Sequence, residues 1–162
     1  MKSIKPGDQI PDFSLKDQDG NILEISKYLG KKKLVIFFYP QDGSLNCTNE
    51  ACYFRDLSDV FDEADAVVLC ISGQSVESHK EFSEKNRLNY TLLSDTGNIV
   101  RKLFGVPGRI FGLIPGRVTY VADRSGKIVY VFDSQTETQR HADEALKICL
   151  LLKRNDNVNV SI

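Results

Sequence analysis

The chain has 162 residues, 41% of them apolar and 27% charged, with a formal net charge of −1 at pH 7. That length suits one globular domain, residues 1–162, that buries roughly two-thirds of its unfolded surface and needs no disulfide staple. The near-neutral balance, with no basic stripe beyond Lys31–Lys33, argues against a nucleic-acid partner, and the lack of a long apolar run argues against a membrane span.

The N-terminal MKSIKPGDQIPDF contains no continuous apolar segment, so the expected location is the cytoplasm. Phe13–Leu15 and Ile22–Ile25 flank KDQDGN, where Asp19-Gly20 signals a hairpin turn. Leu34–Pro40 (LVIFFYP) is an unbroken apolar run rich in β-formers, the pattern of a strand covered on both faces. Ala66–Ile71 is a second such run. Between them, TNEACYFRDL favours a helix, with Ser44 or Asn46 as its N-cap.

Ser75 is a plausible N-cap for a helix that ends near Lys85 and Arg87. Tyr90–Leu93 reads as a strand, and Ser94 or Asp95 would cap a short helix through Phe104, ended by Gly105. Val118–Ala122 and Lys127–Phe132 form a hairpin around Asp123–Gly126. In HADEALKICLLLK, residues Ala142, Ala145, Leu146, Cys149 and Leu150 recur at helical spacing on one face. This order predicts an α/β domain with a thioredoxin-like fold: a central mixed β-sheet flanked by helices, with a β-hairpin at the N-terminus.

Cys70 lies inside an apolar strand and Cys149 on an apolar helical stripe, so both read as core residues. Cys47 differs. It falls in the first turn of a helix, just beyond the carboxyl end of a central strand, where free N–H groups and the helix dipole favour a thiolate. Open α/β sheets place their ligand sites there. Cys52, five residues on, would be separated from Cys47 by about 7.5 Å along the helix axis and about 140° around it. Their Cα atoms would exceed the limit of roughly 7 Å for a disulfide, so any pairing requires the first turns to unwind.

A zinc site from Cys47, Cys52 and a histidine is the leading non-redox alternative, on the loose spacing C-x4-C. His79 and His141 read as surface or interface side chains. A disulfide reductase lacks its C-x-x-C here, and a non-catalytic interaction domain would have to ignore the cysteine site.

Pro40, Ser44 and Cys47 spell PxxxSxxC, followed by Thr48, Glu50, Ala51 and Cys52 and then F-R-D. This resembles the peroxidatic motif of the peroxiredoxins of the AhpC/TSA family, most closely the Q subgroup, also called the bacterioferritin-comigratory type. The resemblance covers nearly the whole chain: GDQIPDFSLKDQDG, SVESHKEF, LLSD and FGVPGRIFGLIPGRVTYVADRSGKIVYVF all contribute. It implies that Cys47 attacks the peroxide and Cys52 resolves the resulting sulfenic acid as an intramolecular disulfide. It also implies that the Ser44 hydroxyl contacts the peroxide, Pro40 shields the sulfur, and Arg117, rather than Arg55 or Arg109, stabilises thiolate and peroxide.

The resemblance implies hydrogen peroxide or an organic hydroperoxide as substrate, thioredoxin or a similar dithiol as reductant, and a monomer or weak homodimer. No cofactor and no metal are implied, because sulfur itself carries the two-electron chemistry. The commonest Q-type loop reads D-D-T-P-G-C, whereas this one reads Asp42-Gly43-Ser44-Leu45-Asn46-Cys47. Serine keeps the hydroxyl but lacks the β-branch that limits its rotamers. Ionising a thiol of ordinary pKa raises the reactive fraction only about thirtyfold at pH 7, worth about 2 kcal/mol, so fixed donors must supply the larger share of catalysis.

Overall fold

The computed structural model describes residues 3–108 and 115–160, with side chains described through residue 155. A hairpin of β1 (Ser14–Asp17) and β2 (Ile22–Glu24) leads through a 3-10 turn (Ile25–Tyr28) into β3 (Lys33–Phe38). Helices α1 (Leu45–Asp56) and α2 (Ser58–Glu63) precede β4 (Ala66–Ser72), then α3 (Val76–Asn86), β5 (Thr91–Ser94) and α4 (Ile99–Phe104). A second hairpin, β6 (Val118–Ala122) and β7 (Ile128–Asp133), leads to α5 (Thr138–Val160). The seven strands form one sheet in the order β2-β1-β5-β4-β3-β6-β7. The inner strands β3, β4 and β5 are parallel, and the hairpins add antiparallel at either side. This is the mixed, thioredoxin-like sheet expected from the element order.

The central strand explains the layering. All six residues of β3 are buried, and successive side chains point to opposite faces. Val35 and Phe37 join a cluster with Phe54, Phe61, Ala142 and Cys149, whereas Leu34, Ile36 and Phe38 join Ile10, Phe13, Val100 and Phe104 on the other face. Each large side chain buried this way contributes about 1.5–3 kcal/mol. Phe37 stacks on Phe54 with ring centroids 4.2 Å apart, which seats α1 against the sheet directly beyond the strand from which its loop departs.

β3 ends at Phe38, which leaves Tyr39 and Pro40 of the expected run outside the strand, and three further details differ from expectation. Ile25 leaves the hairpin for the 3-10 turn, so β2 stops at Glu24. α4 starts after Asn98 rather than at Ser94 or Asp95; Asp95 still acts as a cap, its carboxylate accepting the N–H groups of Val100 and Arg101 at 3.1 and 2.9 Å from across a turn. Leu150 is 40% exposed. It lies about 100° around α5 from the mean direction of Ala142, Ala145 and Cys149, which form the contact face.

Candidate active site

Beyond Phe38 the chain turns away from the sheet at Tyr39 and half-buried Pro40, crosses Gln41–Gly43, and enters α1 at Ser44. Gly43 has φ +82°, a conformation that suits glycine, and this turn brings Ser44 to the N-cap position. Of the two caps expected, the structure uses Ser44, whose hydroxyl oxygen accepts the Cys47 N–H at 3.3 Å, while Asn46 lies within the helix. Cys47 is therefore in the first turn, 1% exposed.

Arg117 reaches the same point from just before β6, because β3 and β6 pair antiparallel with Phe38 opposite Val118. Arg117 is 2% exposed, and its guanidinium divides its donors three ways. Nη2 donates to Cys47 Sγ at 3.3 Å, Nη1 to Glu50 Oε1 at 2.8 Å, and Nε to the Gln135 carbonyl at 3.1 Å. Cys47 and Arg117, both expected in the site, are thus in contact. Burial by itself would lower the Arg117 pKa; the charges and hydrogen bonds of Glu50 and Cys47 raise it instead, and the group stays cationic.

Glu50 was not foreseen as a site residue. It is fully buried one turn beyond Cys47, and burial pushes its carboxyl up to about 8, a rise that Arg117 only partly offsets. Burial thus favours the protonated carboxyl here and Arg117 the ionised one, and the more the proton is held, the more of the Arg117 charge is left for the sulfur. Glu50 Oε2 has no hydrogen-bond partner among the described residues and lies 3.6 Å from His141 Nδ1. His141 is held neutral, its pKa pushed down to about 4 chiefly by burial. Its Nε2–H donates to the Ser134 carbonyl at 2.7 Å, so Nδ1 accepts from the Thr119 hydroxyl at 2.8 Å.

The reading of both histidines as surface or interface side chains is corrected. His79 and His141 are each 0% exposed. For Glu50 and His79 the signal is present in the pattern: Cys47, Glu50, Ala51 and Phe54 form the i, i+3, i+4, i+7 stripe that α1 buries, and His79, Phe82 and Ser83 form the stripe of α3. A polar residue at a core position of such a stripe marks a buried polar contact.

Cys52 lies at the other end of this arrangement. It is half-buried, with Sγ 3.8 Å from Asn86 Oδ1 and 3.7 Å from Arg55 Nη1, which also donates to the Asn86 carbonyl at 2.6 Å. Arg55 makes a surface ion pair with Asp56 at 2.9 Å. Both cysteines are free on an unbroken α1, apart as their helical spacing requires. Cys70 and Cys149 are core residues, and burial pushes both thiols up, that of Cys149 to about 12. Arg109 lies outside the described residues. Among the described residues no three His, Cys, Asp or Glu side chains gather in a way that would hold a metal ion, and no helix is long and apolar enough to cross a membrane.

This arrangement can polarise a sulfur inside a water-poor pocket while a second cysteine waits at a helix–helix contact. Comparison with known proteins gives the same reading. The model of the AhpC/TSA family matches residues 6–131. The chain is 47% identical over 150 residues to the chloroplastic peroxiredoxin Q of Sedum lineare, covering 93% of this chain and 80% of that one. It is 49% identical over 147 residues to that of Suaeda salsa, covering 91% and 68%. Among solved structures, the peroxidoxin BcpB of Mycobacterium tuberculosis superposes with a TM-score of 0.84 at 37% identity, over 91% of this chain and 97% of that one. The bacterioferritin comigratory protein of Xanthomonas campestris, described with alkyl peroxide reduction activity, gives 0.79 at 28% identity, over 87% and 92%. Both plant relatives are chloroplastic, which overturns the expectation of a cytoplasmic location: the residues at the start of the chain do not carry that conclusion. The chain belongs to the AhpC/TSA family and is a peroxiredoxin of the Q type, a thiol-dependent peroxidase.

Proposed function

We propose that Cys47 is the peroxidatic cysteine and Cys52 the resolving one, acting on hydrogen peroxide and organic hydroperoxides. The observation that carries this reading is the Arg117 guanidinium donating to Cys47 Sγ at 3.3 Å inside a buried pocket. The Cys47 thiolate attacks one peroxide oxygen, the O–O bond breaks, and the departing oxygen leaves with the bonding pair and takes up a proton as water or an alcohol. Cys47 is then a sulfenic acid. Arg117, the Ser44 hydroxyl and the backbone N–H at the start of α1 hold the peroxide in line and stabilise charge on the departing oxygen. Pro40 covers the sulfur from solvent.

For the second step α1 unwinds at its start, since the helical separation forbids the bond otherwise. The Cys52 thiolate attacks the Cys47 sulfenic sulfur, water departs, and a Cys47–Cys52 disulfide forms. A dithiol protein of the thioredoxin type returns both to thiols and leaves with the disulfide.

One equivalent of peroxide added to the reduced protein, followed by mass spectrometry of the digested products, is expected to yield an intrachain Cys47–Cys52 disulfide. An unchanged protein would sink the reading. Cys52→Ser is expected to consume one peroxide and then fail to turn over with thioredoxin at the normal rate; full turnover would remove Cys52 from the mechanism.

A further inference from the structure

The loop that delivers Cys47 is held by one buried side chain. Gln41, Gly43, Leu45 and Asn46 are all exposed, whereas the Asp42 side chain is 6% exposed and turns inward. Its carboxylate accepts from the Tyr39 hydroxyl, from Ser78 Oγ at 2.8 Å, and from His79 Nδ1 at 2.9 Å. Ser78 and His79 belong to α3, whose Phe82 also stacks on Tyr39 at the start of the turn. His79 is fully buried and its other nitrogen, Nε2, lies 3.1 Å from the Leu93 carbonyl oxygen on β5. Both ring nitrogens therefore face acceptors, and a ring carrying both protons satisfies the two. Paired with the carboxylate, it forms a buried ion pair between the loop and the helix–sheet frame.

We propose that Asp42 and His79 act as a latch that holds the peroxidatic loop closed against α3, and that its release governs how fast Cys47 reaches Cys52. The inference rests on the roles assigned above to the two cysteines. Cys47 leaves the Arg117 pocket only when the first turn of α1 and its Ser44 cap come undone. Counting back from that cap, Gly43 is free of side-chain restraint and Asp42 is the next point of attachment. A buried ion pair resists loss of either partner because the other is left charged and unpaired. Asp42 and His79 are positioning residues: they touch neither sulfur, and they act through the loop.

The latch makes the two chemical steps respond in opposite directions. Peroxide attack requires the closed loop, and disulfide formation requires the open one. Asp42→Asn and His79→Gln each weaken the pair while keeping the side-chain shape. Each is expected to speed the disulfide step by about tenfold and to slow Cys47 oxidation far less, because a tenfold shift in a balance that favours the closed loop raises the open population about tenfold and lowers the closed one only slightly. Rapid mixing with one equivalent of hydrogen peroxide, acid quench at increasing times and mass spectrometry of the sulfenic and disulfide forms separates the two phases. General damage to the fold would slow both steps, so a rise in the second phase is specific to the latch. Slowing of both phases, or an unchanged disulfide phase, would overturn the proposal.

Amide hydrogen exchange on the reduced protein supplies a readout independent of the cysteine assignments. Exchange across residues 42–48 is expected to rise about tenfold in either variant with β3 and β4 unchanged. Unchanged exchange in the loop would overturn the latch. If the loop exchanges faster in the variants but the wild-type protein forms no Cys47–Cys52 bond, the latch survives and the assignment of the cysteines fails. Asp42→Asn serves as the second variant should His79→Gln not fold.

Discussion

His79 and His141 are both fully buried, and each has one ring nitrogen on a backbone carbonyl, yet they are held in different ways. The second nitrogen of His141 meets the Thr119 hydroxyl, which can donate, so the ring is satisfied as the neutral form and burial keeps it so. The second nitrogen of His79 meets the Asp42 carboxylate, which can only accept while ionised. Burial by itself would raise the Asp42 carboxyl, but His79, Tyr39 and Ser78 together hold it below the usual carboxylate range. A hydroxyl in place of a carboxylate decides whether a buried imidazole serves as a neutral wedge or as half of an ion pair. The neutral one backs the pocket where Arg117 faces sulfur; the paired one fastens the loop that brings the sulfur there.

The largest test of this contrast is Arg117→Ala, which removes the charge that the His141 side is built around. Cys47 oxidation by peroxide is expected to fall by about 10² to 10³, the usual cost of deleting a donor aimed at developing charge, and stopped-flow rates check it. Arg117→Lys should recover little, since one ammonium cannot serve Cys47, Glu50 and the Gln135 carbonyl together. Recovery by lysine to near the wild-type rate would show that charge alone, without the planar fork, is sufficient.

Next in size is the dependence of stability on pH. Glu50 titrates at about 8 in the folded chain against 4.5 when unfolded, so the folded state holds the extra proton between these values. Its stabilising contribution is complete below 4.5 and is lost as pH rises towards 8, at about 1.4 kcal/mol per pH unit at the steepest. His141 has the opposite sign: its value falls from 6.5 to about 4, so its contribution is present above 6.5 and lost as pH falls towards 4. From this pair the wild type should be nearly level between 4.5 and 6.5 and then decline to 8. Glu50→Gln is expected to abolish the decline above 6.5 and to expose a fall as pH drops from 6.5 towards 4, whereas His141→Gln is expected to extend the decline over the whole range from 4.5 to 8. Urea midpoints measured across that range report both, and a decline that persists to pH 8 in Glu50→Gln would assign it elsewhere.

The smallest effect is expected from Arg140→Ala. Arg140 lies over the Phe132 ring, which packs edge-on against His141, but it is exposed and pairs with Glu137 and Glu144 on the surface. Its removal should leave the level stretch between pH 4.5 and 6.5 unchanged, because buried partners set the state of His141. A slope appearing there would extend the controlling environment out to the surface.

The fold was legible where one physical effect dominates. LVIFF announced a strand covered on both faces, and Ser44 and Ser75 announced helix starts, because caps and apolar runs are local. Cys47, Ser44 and Arg117 were legible as residues of a motif, and the contact between Cys47 and Arg117 follows from the pairing of β3 with β6. Glu50, Asp42, His79 and His141 were not, because their roles depend on what lies across from them: a carboxylate on a buried stripe looks like a solvated one until its partner from another element is known. Leu150 failed in the opposite sense, counted into an apolar stripe whose contact face is narrower than the run of leucines suggests.

Cys47 and Arg117 are 70 residues apart along the chain and meet only because β6 docks beside β3. During synthesis the thiol and its whole motif emerge long before the guanidinium does. A nascent or truncated chain ending before β6 would carry the signature of the site without its charge partner. Rapid reaction of Cys47 with peroxide is then a property of the finished fold, and the rate of that reaction after dilution from denaturant would time the arrival of the second hairpin, the segment with the most distant sequence contacts to make.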